Sequence, residues 1–159
     1  AIRSRGLGDV YKRQDLETLK KLILNFRDTS SRVIVVKVSP DSPDEEVLRV
    51  CEILSNISKT VINVGNSKYI KANTVGLTSK NFSKEGGGLS GKSLYNNTLK
   101  TVKMISSKYD IPIIATGGVS SYENVSELLK NGASLTGMAT LLVSDPFQIP
   151  LINYRLSND

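Results

Sequence analysis

With 159 residues, 39% of them apolar and 23% charged, the chain has the profile of a globular protein of one domain or part of one. No apolar run approaches a membrane span, and the opening residues do not read as a signal peptide. The single cysteine, Cys51, and the absence of histidine exclude an internal disulfide, the usual zinc sites and the Ser/His and Cys/His catalytic pairs.

The net charge of +6 invites a nucleic-acid reading, but half of that excess lies in residues 1–14, where Arg3, Arg5, Lys12 and Arg13 face only Asp9. The rest is spread over lysine-rich surfaces, which leaves a nucleic-acid function little support. The opening segment also has an unusual coding signature. DVYKRQ, residues 9–14, is what GAT GTG TAT AAG AGA CAG encodes, the transposase mosaic end used to build sequencing libraries. Residues 1–14 are therefore read as a foreign segment joined to a truncated gene, and residues 15–159 carry the fold reasoning.

In chain order, DLETLKKLILNF has apolar residues at Leu16, Leu19, Leu22 and Leu24, which predicts a helix. VIVVKV, residues 33–38, reads as a fully buried strand. SPDE at residues 42–45 predicts a capping box with Pro43 at the first helical position, opening a helix faced by Val47, Val50, Cys51 and Leu54. TVINVG, residues 60–65, is a second strand, and residues 66–92 read as a long polar connection. A helix over residues 97–108 carries Leu99, Val102 and Ile105. IPIIATGG, residues 111–118, is a third strand ending in a glycine pair. Ser120 and Glu123 suggest another capping box, with Val125, Leu128 and Leu129 running toward a C-terminal Gly132. SLTGMATLL, residues 134–142, predicts a fourth strand, and the segment from Asp145 is predicted helical.

Strands alternating with helices define a parallel α/β unit, compatible with a doubly wound sheet or half of a (β/α)8 TIM barrel. The barrel is favoured because Lys37, Asn66, the pair Gly117 and Gly118, and the pair Ala139 and Thr140 all fall at or just past strand C-terminal ends. A barrel builds its active site at that end and binds phosphate after its last strands.

GGGLSGKS, residues 86–93, matches the phosphate-binding pattern G-x-x-x-x-G-K-[ST] letter for letter. The preceding LTSKNFSKE is polar and cannot supply the buried strand that a P-loop requires, so the nucleotide-hydrolase reading fails on context. What remains is a flexible turn or a loop whose glycines let backbone approach a flat ligand. Lys37 is the most informative charge. Its ammonium, in an apolar strand, must meet an anion, snorkel outward or serve a ligand. Asn66 and Ser67 offer groups that can read a small polar substrate, although Asn-Ser is also ordinary turn chemistry. Gly117 and Gly118 fit a phosphate or ring against the main chain, or a tight turn alone.

Taken in order, VIVVKVSPD, INVGNS, EGGGLSGKSL, IPIIATGGVSS and NGASLTGMATLL resemble the dihydroorotate dehydrogenase family over roughly residues 15–156. The resemblance implies the C-terminal half of an FMN-binding (β/α)8 barrel that oxidises dihydroorotate to orotate in pyrimidine (UMP) biosynthesis. By position, Lys37 matches the lysine that contacts the flavin near N1 and O2. Gly65 and Gly91 match flavin-contacting positions, and Asn66 and Ser67 match the pair that hydrogen-bonds the pyrimidine. Gly117, Gly118, Ala139 and Thr140 match the backbone groups that hold the FMN phosphate. No metal is implied.

INVGNS is nearer the V-N-x-x-N-S of the soluble fumarate-linked class, whereas GGLSGKSL looks like the quinone-linked class. The longer motif favours quinone as electron acceptor and membrane association, mitochondrial or bacterial, over fumarate and a cytoplasmic enzyme. The family's catalytic base, a Ser or Cys, belongs upstream of the helix near Asp15, so no residue here is assigned to it and the chain alone is expected to be inactive. Another FMN barrel acting on a dihydropyrimidine, or a non-catalytic phosphate-ligand barrel, are the competing readings.

Overall fold

The computed structural model describes residues 13–76 and 85–158. Most of the suspected foreign segment and nearly all of the polar stretch before the glycine motif therefore lie outside the described residues. Helix α1 (Arg13–Thr29) leads into strand β1 (Ile34–Val38), helix α2 (Asp44–Ser55) and strand β2 (Thr60–Val64). A hairpin of β3 (Lys68–Lys71) and β4 (Gly86–Leu89) follows, then helix α3 (Tyr95–Ser106) and strand β5 (Ile113–Thr116). Helix α4 (Tyr122–Lys130), strand β6 (Leu135–Gly137) and helices α5 (Ala139–Ser144) and α6 (Gln148–Leu156) complete the described fold.

The main sheet is parallel with order β1-β2-β5-β6. Every crossover therefore moves to the next strand in the same direction. A doubly wound sheet reverses direction at a switch point; a barrel wall does not. The two faces of the sheet differ as period-2 alternation requires. Val38, Thr60, Ile62, Val64, Ile113 and Ala115 are buried against the helices, where Cys51, Leu54, Val102, Ile105 and Leu128 complete the core. On the other face, Val33, Val35 and Leu135 are 59%, 51% and 62% exposed. The expected fully buried first strand is thus half right: β1 is an edge strand whose second face has no covering layer among the described residues.

Several local expectations shift for physical reasons. In α1 the buried residue is Ile23, at 3% exposure, with Leu16 and Leu19 beside it, whereas Leu22 and Leu24 turn outward. The inward stripe runs i, i+3, i+7 from Leu16, and Leu22 and Leu24 lie off it. Arg27 ties the end of this helix to the sheet, donating from Nη1 to the Ser30 and Arg32 carbonyls and from Nη2 to that of Lys59. At α2 no side chain caps the helix. The Pro43 carbonyl takes the N–H groups of Glu46 and Val47, and the acidic first turn, Asp44 to Glu46, complements the helix dipole. At α4 the cap is one residue later than expected. Ser121 Oγ accepts from the Asn124 N–H at 3.3 Å, while Asn124 Oδ1 accepts from the Ser120 N–H at 3.2 Å. Gly132, at φ +103°, ends that helix as expected, with the Ala133 N–H reaching back to the Leu128 carbonyl.

Two larger corrections concern the connections. Residues 66–92 are not merely a polar link, because Lys68–Lys71 pairs antiparallel with Gly86–Leu89. The fourth strand ends at Gly137, and the chain turns at Met138 into α5, so Ala139 and Thr140 begin a helix just past the strand.

Candidate active site at the strand ends

The C-terminal ends of β1, β2, β5 and β6 bring the candidate residues to one rim of the sheet. Lys37 stands on the uncovered face, opposite Asn63 in the β1–β2 register. It makes no hydrogen bond or ion pair with the described residues. Snorkelling along a buried strand is unnecessary, since the ammonium is already exposed.

Past β2 the chain turns at Gly65, whose φ of +108° lies where L side chains are strained. A Cβ there would sit 1.4 Å from the Thr116 carbonyl oxygen, so the turn presses directly on β5. Asn66 follows, exposed, with its Oδ1 accepting from the Ser67 N–H at 2.9 Å. The amide nitrogen of Asn66 makes no hydrogen bond among the described residues, and the exposed Ser67 sets its side chain beside Gly88 of the hairpin. The hairpin is hooked back over this rim by Asp41, whose Oδ2 accepts from the Tyr69 N–H at 2.9 Å.

Past β5, Gly117 and Gly118 have φ of +118° and +77°. A Cβ on Gly118 would meet the Tyr95 nitrogen at 2.3 Å, so the start of α3 is packed against the bare backbone of this turn. Thr98, 4% exposed on α3, donates to the Gly117 carbonyl at 2.9 Å and holds the turn in place. The two positive-φ glycines put main chain without side chains at the C-terminal end of β5, where a barrel binds phosphate. Tyr95 is itself anchored by its hydroxyl, which donates to Glu127 Oε2 at 2.7 Å. Burial, then the hydrogen bond and charge of Glu127, push its phenol up to about 12.

The structure brings several of these residues close. The Cβ position of Gly117 is 3.9 Å from the Asn66 carbonyl oxygen, and that of Gly91 is 3.8 Å from Thr140 Cγ2. Gly91, at φ +98°, precedes a 3-10 turn, Lys92–Leu94, that runs into α3. Its approach to Thr140 joins the hairpin side of the rim to the start of α5. Among the described residues no group of three His, Cys, Asp or Glu side chains could hold a metal ion.

The glycine motif now has a structural account. Gly86–Leu89 is an antiparallel strand outside the main sheet, so no parallel strand feeds the loop and the P-loop setting is absent. A Cβ on Gly86 would lie 2.6 Å from the Tyr69 hydroxyl oxygen, and one on Gly88 would lie 2.4 Å from Ser67 Oγ. These glycines make room for side chains of the facing strand and of the candidate Ser67.

Two site residues escaped sequence reasoning. Asn63 and Thr116 share the uncovered face, and the Thr116 hydroxyl donates to Asn63 Oδ1 at 2.9 Å. The available signal was a polar residue two positions from Val61 in an otherwise apolar strand, on the same side of the pleat as Lys37.

A one-way parallel sheet with a lysine, hydrogen-bonding side chains and glycine turns gathered at its C-terminal rim defines the ligand-binding wall of a (β/α) barrel. A sequence profile described as dihydroorotate dehydrogenase matches residues 4–158, and the chain belongs to that family. The match begins ahead of residues 9–14 and crosses them. The mitochondrial dihydroorotate dehydrogenase (quinone) of Schizosaccharomyces pombe is 31% identical over 97% of this chain and 35% of its own length. The dihydroorotate dehydrogenase (quinone) of Christiangramia forsetii is 31% identical over 98% of the chain and 47% of its own. The chain therefore spans about a third to a half of these relatives. A crystal structure of the Eimeria tenella enzyme in complex with ferulenol superposes with a TM-score of 0.70 at 20% identity, covering 90% of this chain and 43% of that one. The fold is thus part of a (β/α)8 barrel, in a family that uses flavin.

Proposed function

We propose that the gene product carrying this chain is an FMN-dependent dihydroorotate dehydrogenase that oxidises dihydroorotate to orotate and passes the electrons to quinone. The observation that carries this reading is the convergence of Lys37, Asn66, Gly91, Gly117 and Thr140 on one rim of a barrel wall. The residues fit the cofactor: the chain after β5 turns at two positive-φ glycines, so bare main chain stands at the rim, and Lys37 is an exposed cation with no protein partner among the described residues.

When bound, FMN supplies a two-electron acceptor. Lys37 would supply the positive charge that favours a reduced, more anionic ring. The backbone of Gly117, Gly118, Ala139 and Thr140 would hold the phosphate, and Gly65 and Gly91 would let the main chain approach the ring. Asn66 and Ser67 hydrogen-bond the pyrimidine and orient it. The proton is removed by a Ser or Cys base supplied from outside the described residues. Quinone as acceptor, with membrane association of the intact protein, is supported by the naming of the relatives above. Among the described residues no helix is long and apolar enough to cross a membrane.

The test is anaerobic mixing of the intact, flavin-loaded gene product with dihydroorotate. Bleaching of the flavin band followed by recovery on adding a quinone is expected. Bleaching by another dihydropyrimidine but not by dihydroorotate would overturn the substrate, recovery with fumarate alone would overturn the acceptor, and absence of any flavin would overturn the enzyme reading.

A further inference from the structure

The uncovered face of the sheet changes character along the strands. Toward the strand starts it carries Val33, Val35, Val61, Ile114 and Leu135; toward the ends it carries Lys37, Asn63, Thr116 and Gly137. The register runs Lys37 to Asn63 across β1 and β2, and Thr116 to Gly137 across β5 and β6. The Asn63–Thr116 hydrogen bond closes the gap between them.

Because the Thr116 hydroxyl occupies Asn63 Oδ1, the free end of the Asn63 amide is its donor, Nδ2. That NH2 group meets no acceptor among the described residues. An amide donor inside a barrel, once covered, is destabilising if it stays unpaired. Gly137 preserves the arrangement, since a Cβ there would lie 2.7 Å from Thr116 Oγ1 and displace the hydroxyl that orients Asn63. A purely structural amide would be satisfied at both ends by its neighbours; this one is held at one end and presented beside the exposed Lys37.

We propose that Asn63 is a cofactor-positioning residue whose Nδ2 donates a hydrogen bond to a carbonyl on the pyrimidine edge of the flavin, the edge that Lys37 serves, with Thr116 and Gly137 fixing its orientation. This rests on the FMN reading above and adds a donor that the sequence resemblance did not assign. A paired donor at that edge favours binding and favours the reduced ring, in which the edge is more negative.

The test compares intact wild-type protein with Asn63→Leu, Asn63→Asp and Thr116→Val, reading FMN affinity by titration of apoprotein, the visible flavin bands and the flavin midpoint potential. Asn63→Leu is expected to weaken FMN about tenfold, the loss of roughly one hydrogen bond to the ring. Asn63→Asp, isosteric but anionic, should shift the bands and lower the potential, and Thr116→Val should weaken FMN in the same direction by less. Affinity within twofold of wild type and unshifted bands in every variant that folds would overturn the proposal. If Asn63→Leu does not fold, Asn63→Asp and Thr116→Val decide, since neither changes side-chain volume much. A wild-type protein that binds no FMN refutes the flavin reading and this proposal with it, whereas a flavin-loaded wild type with indifferent variants refutes this proposal alone.

Discussion

Cys51 has no exposed surface, and its surroundings are apolar, so burial pushes its thiol up to about 12. The protein therefore holds the neutral thiol more tightly than the unfolded chain does. Its contribution to stability is complete below about pH 9 and is lost as pH rises toward about 12. We expect the stability gap between intact wild type and Cys51→Ala, measured by urea unfolding, to narrow steadily across that window. At the same scale, the sequence disclosed the site unevenly. Lys37 stood out because a cation in an apolar strand needs a reason, and Gly117 with Gly118 because paired glycines at a strand end restrict what the turn can be. Asn63 and Thr116 did not stand out, because each is a small polar residue whose meaning comes from a partner more than fifty positions away.

At the level of elements, periodicity located the helices well but was half right on α1, where Leu16 and Leu19 face the core and Leu22 and Leu24 do not. DLETLKKLILNF offers two apolar stripes, and only packing against α2 decides between them. The structure gives that role to Ile23. Ile23→Ala in the intact protein is expected to cost about 2–5 kcal/mol in chemical unfolding. Leu22→Ala, at a position 54% exposed, should cost far less, within about 0.5 kcal/mol if its surface is solvated there as well. A reversed ranking would assign the buried face to the other stripe. The hairpin was illegible for a different reason. Glycine has the weakest strand propensity, so a strand with three glycines in four residues gives no period-2 signal, and its pairing with Lys68–Lys71 is a tertiary fact. The over-long fourth strand has the converse cause: SLTGMATLL carries no charge and no proline, so apart from Gly137 nothing in its pattern marks the turn at Met138 where strand gives way to helix.

For the molecule as a whole, strand order carries the consequence. β1 and β6 are the two edges of a parallel sheet, and one of its faces exposes Val33, Val35 and Leu135. Open edges and a bare apolar face are templates for association with other chains. We expect the 159-residue polypeptide, expressed by itself, to elute from gel filtration as heterogeneous aggregates without stoichiometric FMN. A monomer with bound flavin and a cooperative melt would contradict this. The foreign origin proposed for residues 9–14 is read out by resequencing unfragmented DNA, where the same codons in the genome would refute it. The barrel, favoured from where the unusual residues fall, is borne out by the strand order; the residues at strand ends alone did not require it, since a doubly wound sheet also binds ligands there.

The glycines of β4 have one more consequence, for how this sequence can change over time. Tyr69 fills the space that a side chain at position 86 would take, and Ser67 fills the space beside position 88. Position 88 is the more changeable of the two, since a side chain there meets only Ser67 Oγ and Cβ, whereas one at position 86 also meets the backbone carbonyl of Ile70, which no change at Tyr69 removes. Gly86 is the first letter of the nucleotide-hydrolase spelling and Gly88 is no part of it, so that spelling is preserved in part by crowding inside the hairpin.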